Sequence, residues 1–249
     1  MRAMKQSIFK ITENDRIARF VYKMELSGDT SAITCPGQFV EIALPNRFLR
    51  RPISVCDAED GRLTLIYKVV GRGTDDMSRM GKGEKLDIIS GLGNGYDLTA
   101  SGETPLLIGG GVGVPPLYML AKKLIKQGKT PTVILGFNTK NEVFYEAEFK
   151  ASGCRVYVTT ADGSCGTKGF VTDALPQVVE YSYYYCCGPE PMLRAISNKA
   201  AGSGEYSFEA RMGCGFGACM GCSIMTKSGS KRVCREGPVF KKEDVIWAD

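Results

Sequence analysis

The chain has 249 residues, of which 43% are hydrophobic and 24% charged, and its formal net charge is +5. This composition is typical of a soluble protein that buries a sizeable core. The basic residues are spread along the chain, so nucleic-acid binding is not expected. No segment approaches the roughly 18 consecutive apolar residues of a membrane span, and residues 1–10 lack the apolar run of a signal peptide. We therefore expect a cytoplasmic protein without a membrane segment.

The chain contains 10 cysteines and no histidine. The absence of histidine excludes the commonest general base and the commonest zinc and haem ligand. Four cysteines cluster near the C-terminus, and this distribution favours reduced thiols and a metal site over a disulfide framework. The other six are expected to be small buried hydrophobic residues, with a second role considered below for one of them; they are Cys35, Cys56, Cys154, Cys165, Cys186 and Cys187.

Residues 7–90 contain short alternating segments, at 39–44, 63–70 and 85–89, separated by Gly, Pro and Asp clusters. Such a pattern predicts a small antiparallel β-barrel or sandwich.

The pattern changes near residue 104. Apolar runs at 105–108, 132–137, 155–159 and 182–187 alternate with helical patterns at 115–127 and 143–151. This alternation predicts an open parallel α/β sheet. After about residue 206 the chain is rich in Gly and Cys and loses its periodicity, which indicates a small module organised by a metal. We expect three domains, with limits at 1–100, 101–205 and 206–249.

The four clustered cysteines have the spacing C-x4-C-x2-C-x11-C, and the first intervals match those of plant-type [2Fe–2S] proteins. Glycines lie between them, as close wrapping of a backbone around a cluster requires. A structural zinc site and unliganded thiols are the alternatives, although zinc modules commonly use two C-x2-C pairs and only one is present. The predicted metal ligands are Cys214, Cys219, Cys222 and Cys234.

Two further motifs lie in the barrel region. Residues 50–54 (RRPIS) place Arg51 to bind a pyrophosphate and Ser54 to hydrogen-bond a flavin ring, although a structural Arg-Pro turn has the same sequence. Residues 71–74 (GRGT) predict a flexible loop that offers N–H groups to phosphate, and residues 91–95 (GLGNG) a second glycine turn. Either of these two segments is also compatible with a simple hairpin.

A glycine-rich turn, residues 109–113, directly follows a predicted strand and precedes a helix that begins with Pro115 and Pro116. This context favours dinucleotide binding at the helix N-terminus over a merely tight turn. The predicted fourth strand of the sheet ends in Cys187, Gly188 and Pro189, at the sheet edge where ligands of α/β folds bind. The second strand is followed by Asn138 and Thr139, with no arginine for a ribose 2′-phosphate, which favours NAD over NADP.

Taken in this order, the motifs resemble those of the ferredoxin–NADP reductase superfamily. More narrowly, they resemble the electron transfer subunits of class B dihydroorotate dehydrogenases, whose cluster loop is close to residues 209–219 (EARMGCGFGAC). The resemblance covers essentially the whole chain. It implies an antiparallel β-barrel FAD domain, a parallel α/β NAD-binding domain and a small C-terminal [2Fe–2S] module.

The resemblance also implies the cofactor-binding residues. It assigns FAD contacts to Arg51, Pro52, Ile53, Ser54, Ile66, Tyr67, Lys68, Gly73 and Thr74. Together with the glycine-turn argument, it assigns the dinucleotide to Gly110, Gly111, Gly113, Cys187, Gly188 and Pro189, with Cys187 near the nicotinamide. Phe216 and Met220 are candidates for contact with a partner protein.

The implied function is NAD-dependent electron transfer in pyrimidine biosynthesis. Electrons from a partner subunit that contains FMN and oxidises dihydroorotate are expected to reach NAD+ through the cluster and FAD, in a heterotetramer with two copies of each subunit. No acid–base residue is expected, which agrees with the absence of histidine. Two alternatives remain: the small subunit of a flavin-based NADH/ferredoxin:NADP oxidoreductase or of a sulfhydrogenase, and a non-enzymatic adaptor stabilised by zinc.

Overall fold

The computed structural model describes residues 4–247. The expected outer domain limits at residues 1 and 249 therefore lie outside the described residues. No helix within residues 4–247 has both the length and the apolar character needed to cross a membrane.

The first part of the chain forms a closed barrel of six antiparallel strands. Buried residues alternate with partly exposed ones along the first strand, as expected when one face of a strand packs into a barrel core. The elements are β1 (Lys5–Ala18), β2 (Val21–Ser27), β3 (Phe39–Ile42), β4 (Arg51–Glu59), β5 (Arg62–Lys68), the helix α1 (Arg72–Arg79) and β6 (Lys85–Leu92). The order around the barrel is β1-β2-β5-β4-β3-β6.

The rest of the chain builds a sheet of seven strands with helices packed on it. Its elements are β7 (Pro105–Gly110), α2 (Pro115–Lys126), β8 (Thr132–Phe137), α3 (Glu146–Ala151), β9 (Arg155–Thr160), β10 (Thr167–Lys168), α4 (Val171–Ala174), β11 (Tyr183–Cys187), α5 (Glu190–Lys199), β12 (Gly204–Ser207) and β15 (Val239–Lys241). Strands β13 (Ser223–Thr226) and β14 (Gly229–Arg232) form a separate two-stranded hairpin. The sheet order is β10-β9-β8-β7-β11-β12-β15, and only β15 is antiparallel to its neighbour.

The C-terminal segment is joined to the sheet, since β12 and β15 are two of its strands. Strands of three or four residues are too short to give a periodic sequence signal, which is why the sequence indicated no strand there. Cys222 and Cys234 are buried in the same apolar cluster as Tyr206 of β12 and Ile196 of α5. The separate limits of the three expected domains stay a prediction, while the barrel and the parallel sheet are confirmed.

Helix α2 connects the barrel to the sheet. The ammonium group of Lys122 on α2 lies 2.6 Å from a carboxylate oxygen of Asp57 and 3.1 Å from one of Glu59, both on β4. Lys126, one turn further along α2, also pairs with Glu59. These ion pairs cross from the sheet to the barrel, and they fix the cleft between the two.

Two local predictions were wrong. Residues 72–74 are helical rather than a flexible loop, because the Thr74 hydroxyl accepts hydrogen bonds from the backbone N–H groups of Val70 and Gly71 and so closes the start of α1. Helix α3 begins at Glu146, three residues later than the helical pattern indicates. Tyr145, just before it, has a left-handed backbone with φ of +65°, and this conformation cannot lie inside a right-handed helix.

Candidate functional site

Two cavities lie side by side between the barrel and the carboxyl ends of the parallel strands. The cavity on the barrel side has a volume of about 370 Å³, and the one on the sheet side about 530 Å³. Lys68 at the end of β5, Val112 in the glycine turn and Glu209 after β12 line both cavities. The two cavities therefore adjoin, and a molecule in one can meet a molecule in the other.

The barrel-side cavity collects the residues that the sequence assigned to a flavin. Strands β4 and β5 are hydrogen-bonded neighbours, so their ends reach the same rim of the barrel. Eight of the nine predicted FAD residues line this cavity: Arg51, Pro52, Ile53 and Ser54 of β4, Ile66, Tyr67 and Lys68 of β5, and Thr74 of α1.

Gly73, the ninth predicted FAD residue, does not line the cavity but leaves room for the Arg51 side chain. A Cβ at Gly73 would overlap the Nε atom of the Arg51 side chain, so only glycine allows the guanidinium to lie over the first turn of α1. An arginine and a helix N-terminus together form an anion site. This cradle fits the pyrophosphate of a dinucleotide flavin.

The sheet-side cavity is built on the turn that follows β7. Gly110, Gly111 and Pro189 line it. Gly111 has φ of +53°, and within residues 4–247 no other group lies within 4 Å of the position a Cβ would take, so the turn is open on that side. An open glycine turn after a strand, next to the start of α2, fits a dinucleotide phosphate.

Gly113 and Gly188 do not line either cavity. A Cβ at Gly113 would overlap the carbonyl group of Cys187, and one at Gly188 would clash with the Met192 side chain. These two glycines are thus required by the close packing of the two turns, and their assignment to ligand contact stays a prediction.

Cys187 ends β11 and lines the barrel-side cavity. Its side chain is buried, and burial raises the pKa of the thiol to about 12. The group is therefore a neutral thiol at pH 7. Its predicted place beside a nicotinamide stays a prediction.

A carboxylate and a lysine meet at the edge of the sheet-side cavity. Glu142 accepts a hydrogen bond from the Asn138 side chain at 3.2 Å and lies 3.5 Å from the ammonium group of Lys68. Glu142, Asn138 and Lys68 all line the cavity, whereas Thr139 does not. The only basic side chain in this lining is thus paired, and a negative charge lies beside it.

The four predicted metal ligands lie on one loop and one hairpin. The Sγ atom of Cys214 accepts hydrogen bonds from the backbone N–H groups of Ala218 at 3.2 Å and Cys219 at 3.4 Å. The Sγ atom of Cys222 accepts one from the N–H of Cys234 at 3.4 Å. Backbone donors aimed at thiolates are the environment that iron–sulfur sites use to set their potentials.

Charge stabilisation differs among these thiols. Burial opposes ionisation of Cys214, but the N–H groups of Cys219 and Phe216 outweigh it and lower the pKa of Cys214 to about 6. Burial raises the pKa of Cys234 to about 12. Only a thiolate binds iron, so the Cys234 thiol must lose its proton when the metal binds.

The thiols are arranged as two pairs. The Cys214 Sγ atom accepts the backbone N–H of Cys219, and the Cys222 Sγ atom accepts that of Cys234. Among residues 4–247 no three Cys, Asp or Glu side chains converge on a single point. Four thiols with backbone donors aimed at their sulfurs fit a [2Fe–2S] cluster.

Other expectations had mixed outcomes. Residues 91–95 do not line either cavity. Asn94 instead donates hydrogen bonds to the carbonyls of Glu236 and Val239, and so attaches the segment after β6 to the C-terminal segment. Cys56, Cys154, Cys186 and Cys187 are buried as expected. The same expectation was wrong for Cys35 and Cys165, which are half-buried because they lie in turns at the surface.

Sequence reasoning missed several cavity residues. Glu142 lies five residues after β8 and belongs to no recognisable motif, and Val112 lies between the glycines of the turn after β7. In the sequence, Glu209 is recognisable only as the first residue of the cluster loop, although it lines both cavities. The one available signal was its place at the start of that loop, directly between β12 and Cys214.

Comparison with known proteins agrees with this geometry. Residues 209–246 match the iron-sulfur cluster binding domain of dihydroorotate dehydrogenase B, and residues 107–198 match the oxidoreductase NAD-binding domain. A chain in a structure of the NADH-dependent reduced ferredoxin–NADP oxidoreductase superposes with a TM-score of 0.87 at 32% identity, covering 96% of this chain and 90% of that one.

Two curated relatives are similar over nearly their full length. The dihydroorotate dehydrogenase B (NAD(+)) electron transfer subunit of Fusobacterium nucleatum is 45% identical over 94% of this chain and 96% of its own. The subunit of the same name from Geobacillus sp. is 43% identical over 98% of this chain and 99% of its own. The chain therefore belongs to the family of the electron transfer subunits of dihydroorotate dehydrogenase B (NAD(+)).

Proposed function

We propose that this chain is the electron transfer subunit of an NAD-dependent dihydroorotate dehydrogenase and serves pyrimidine biosynthesis. The observation that carries the proposal is the adjacency of three sites: the two cavities share Lys68, Val112 and Glu209, and Glu209 opens the segment that contains the four cysteines. When bound, FAD, the [2Fe–2S] cluster and NAD+ supply the redox chemistry that links one-electron to two-electron transfer.

The barrel residues bind and orient the flavin. Arg51, over the first turn of α1, would hold the pyrophosphate, and Ser54 would offer its hydroxyl to the flavin. Cys187 and Glu209 line the same cavity, and Glu209 also lines the sheet-side cavity. Bound in these adjoining cavities, the flavin and the nicotinamide would meet where Lys68, Val112 and Glu209 line both.

The sheet residues hold NAD(H). Gly110 and Gly111 leave the turn open to phosphate, and Pro189 begins the turn into α5. The Glu142 carboxylate and the paired Lys68 disfavour a 2′-phosphate, which supports NAD over NADP. No proton-transfer residue is needed at this site, because hydride transfer is a property of the two cofactors and the protein orients them.

Cys214, Cys219, Cys222 and Cys234 would hold the cluster. The paired thiols and their backbone donors support this assignment. The loop carries Phe216 and Met220, whose side chains are 41% and 53% exposed. Exposed apolar side chains beside a redox centre suit a protein–protein contact. The proposed partner is a catalytic subunit with FMN, in a cytoplasmic heterotetramer with two copies of each subunit.

A second candidate shares most of this architecture. The similarity to the NADH-dependent reduced ferredoxin–NADP oxidoreductase chain, at 32% identity over 96% of this chain, keeps open a role as the small subunit of such an enzyme or of a sulfhydrogenase. The site residues would act in the same way, and only the partner would differ.

The test is anaerobic purification of the full chain, alone and co-expressed with the dihydroorotate-oxidising subunit of the same organism. We expect one FAD and about two irons per chain, and dihydroorotate-dependent NAD+ reduction only in the complex. Each of four variants, with Ser in place of Cys214, Cys219, Cys222 or Cys234, should lose iron, whereas Cys165→Ser, at a half-buried cysteine outside the cluster loop, should keep it. A chain that purifies without flavin and iron would contradict the proposal, and capture of a hydrogenase or ferredoxin-dependent subunit instead would favour the second candidate.

A further inference from the structure

Glu41 is a buried carboxylic acid without a hydrogen-bond partner for one of its oxygens. It lies in the middle of β3, its residue is 2% exposed, and its Oε1 atom makes no hydrogen bond to any residue among 4–247. Burying an unpaired carboxyl group costs free energy, and an apolar residue at this barrel position would avoid the cost. The position thus retains a carboxyl group for a reason other than packing.

The two nearby arginine side chains, Arg50 and Arg51, donate hydrogen bonds to other groups. The Arg50 guanidinium forms a two-pronged contact with the Asp87 carboxylate on β6, at 3.2 and 2.8 Å, and contacts only the backbone carbonyl of Glu41. Arg51 donates to the carbonyls of Leu49 and Arg50. Both arginines attract the Glu41 charge at longer range, but neither donates a hydrogen bond to its side chain.

The Glu41 side chain faces the cluster loop. A Cβ at Gly215, the residue after the ligand Cys214, would overlap the Oε1 atom of Glu41. Gly215 also has φ of +76°, a conformation that other residues rarely adopt. The Cys214–Cys219 loop therefore lies directly on the carboxyl group.

We propose that Glu41 is a positioning residue for the iron–sulfur site, which seats the Cys214–Cys219 loop on the barrel and lowers the reduction potential of the cluster through its charge. The inference rests on the proposed function, because it requires a cluster on these cysteines. Reduction adds one negative charge to the cluster, and a fixed carboxylate beside it makes that addition less favourable. Net charge and the donors around the sulfurs are recognised determinants of cluster potential.

The experiment is a redox titration of the [2Fe–2S] signal by electron paramagnetic resonance, on the anaerobically purified full chain at pH 9. Burial raises the pKa of Glu41 to about 7, so the carboxyl group is ionised at this pH. Glu41→Gln removes the charge and keeps the shape, and we expect its midpoint potential to rise. Glu41→Asp keeps the charge, and its midpoint should lie closer to that of the unmodified chain. Glu180→Gln, at an exposed position remote from the loop in the fold, serves as the matched control and should not shift the potential.

An unchanged midpoint in Glu41→Gln, with full iron content, would overturn the inference. If that variant fails to hold the cluster, Asp87→Asn replaces it, since this change leaves Glu41 in place and frees Arg50 to neutralise it. The midpoint should then rise as well, and no change would again overturn the inference. If the unmodified chain holds no cluster, the proposed function itself fails; if it holds the cluster and only the variant comparison fails, the role of Glu41 alone is wrong.

Discussion

Gly113 packs directly against the carbonyl group of Cys187, so closely that a Cβ at Gly113 would overlap it. The contact joins the turn after β7 to the turn after β11, and these two turns border the junction of the cavities. The distance between the flavin and nicotinamide sites therefore depends on a residue that touches neither cavity.

Gly113→Ala should slow the reduction of bound flavin by NADH. The added methyl group must displace the Cys187 carbonyl, and a shift of about 1 Å in a reacting pair can reduce a rate on the order of 10²-fold. FAD and iron contents should stay unchanged, because Arg51 and the four ligand cysteines lie elsewhere. Stopped-flow absorbance at the flavin band measures the rate, and a normal rate would show that the packing of the two turns does not control the site.

Gly73→Ala should weaken FAD binding and leave the fold intact. The new Cβ displaces the Arg51 guanidinium, a flexible side chain, so the anion site is lost while the barrel core is not touched. Flavin content after dialysis and the dissociation constant from fluorescence quenching report the loss. The matched control is Gly81→Ala, just beyond the other end of α1, where the nearest atom lies 3.8 Å from the added Cβ. Equal flavin retention in the two variants would contradict the assignment of Arg51.

Glu142→Gln should raise the use of NADPH relative to NADH. The change removes a negative charge from the cavity lining and frees Lys68, and both effects favour a 2′-phosphate. We expect the ratio of kcat/KM for NADPH to that for NADH to rise several-fold, roughly the effect of 1 kcal/mol. The control is Glu148→Gln on the exposed side of α3. A ratio that does not move would place the adenosine ribose away from Glu142.

Glu205→Gln should remove a pH dependence of stability. Glu205 on β12 is 4% exposed, and burial raises its pKa to about 7, while an unfolded chain has the ordinary value near 4.5. Between these values the folded state binds the extra proton, so the free energy of unfolding falls as pH rises, by up to about 3 kcal/mol once pH exceeds 7.

In the Glu205→Gln variant, the amide oxygen can still accept the N–H of Asp97, so the hydrogen bond at 3.0 Å is preserved. The variant should therefore be more stable than the unmodified chain at pH 8 and similar to it at pH 5. Denaturant unfolding at both pH values checks this, with the exposed Glu103→Gln as control. Parallel pH profiles for the two variants would contradict a raised pKa at Glu205.

Local sequence patterns were enough for the barrel and the parallel sheet. Strand β8 has the predicted limits, 132–137, and α2 begins at the predicted Pro115, since continuous apolar runs and a proline at a helix start are local signals. The α1 helix was missed because a glycine-rich segment predicts a loop, whereas the Thr74 hydroxyl satisfies the backbone donors at its start.

By itself the sequence predicted the chemistry of this protein: four cysteines at iron–sulfur spacing, an arginine and a glycine turn suited to phosphates, and no histidine for acid–base work. Only the tertiary structure decided which of these residues meet, because the contacts join distant parts of the chain. Gly215 lies on Glu41, Glu209 reaches both cavities, and β12 and β15 tie the cluster segment to the sheet. A spacing can specify the ligands of a cluster, but the charge that the barrel places beside it depends on packing between residues more than 170 positions apart.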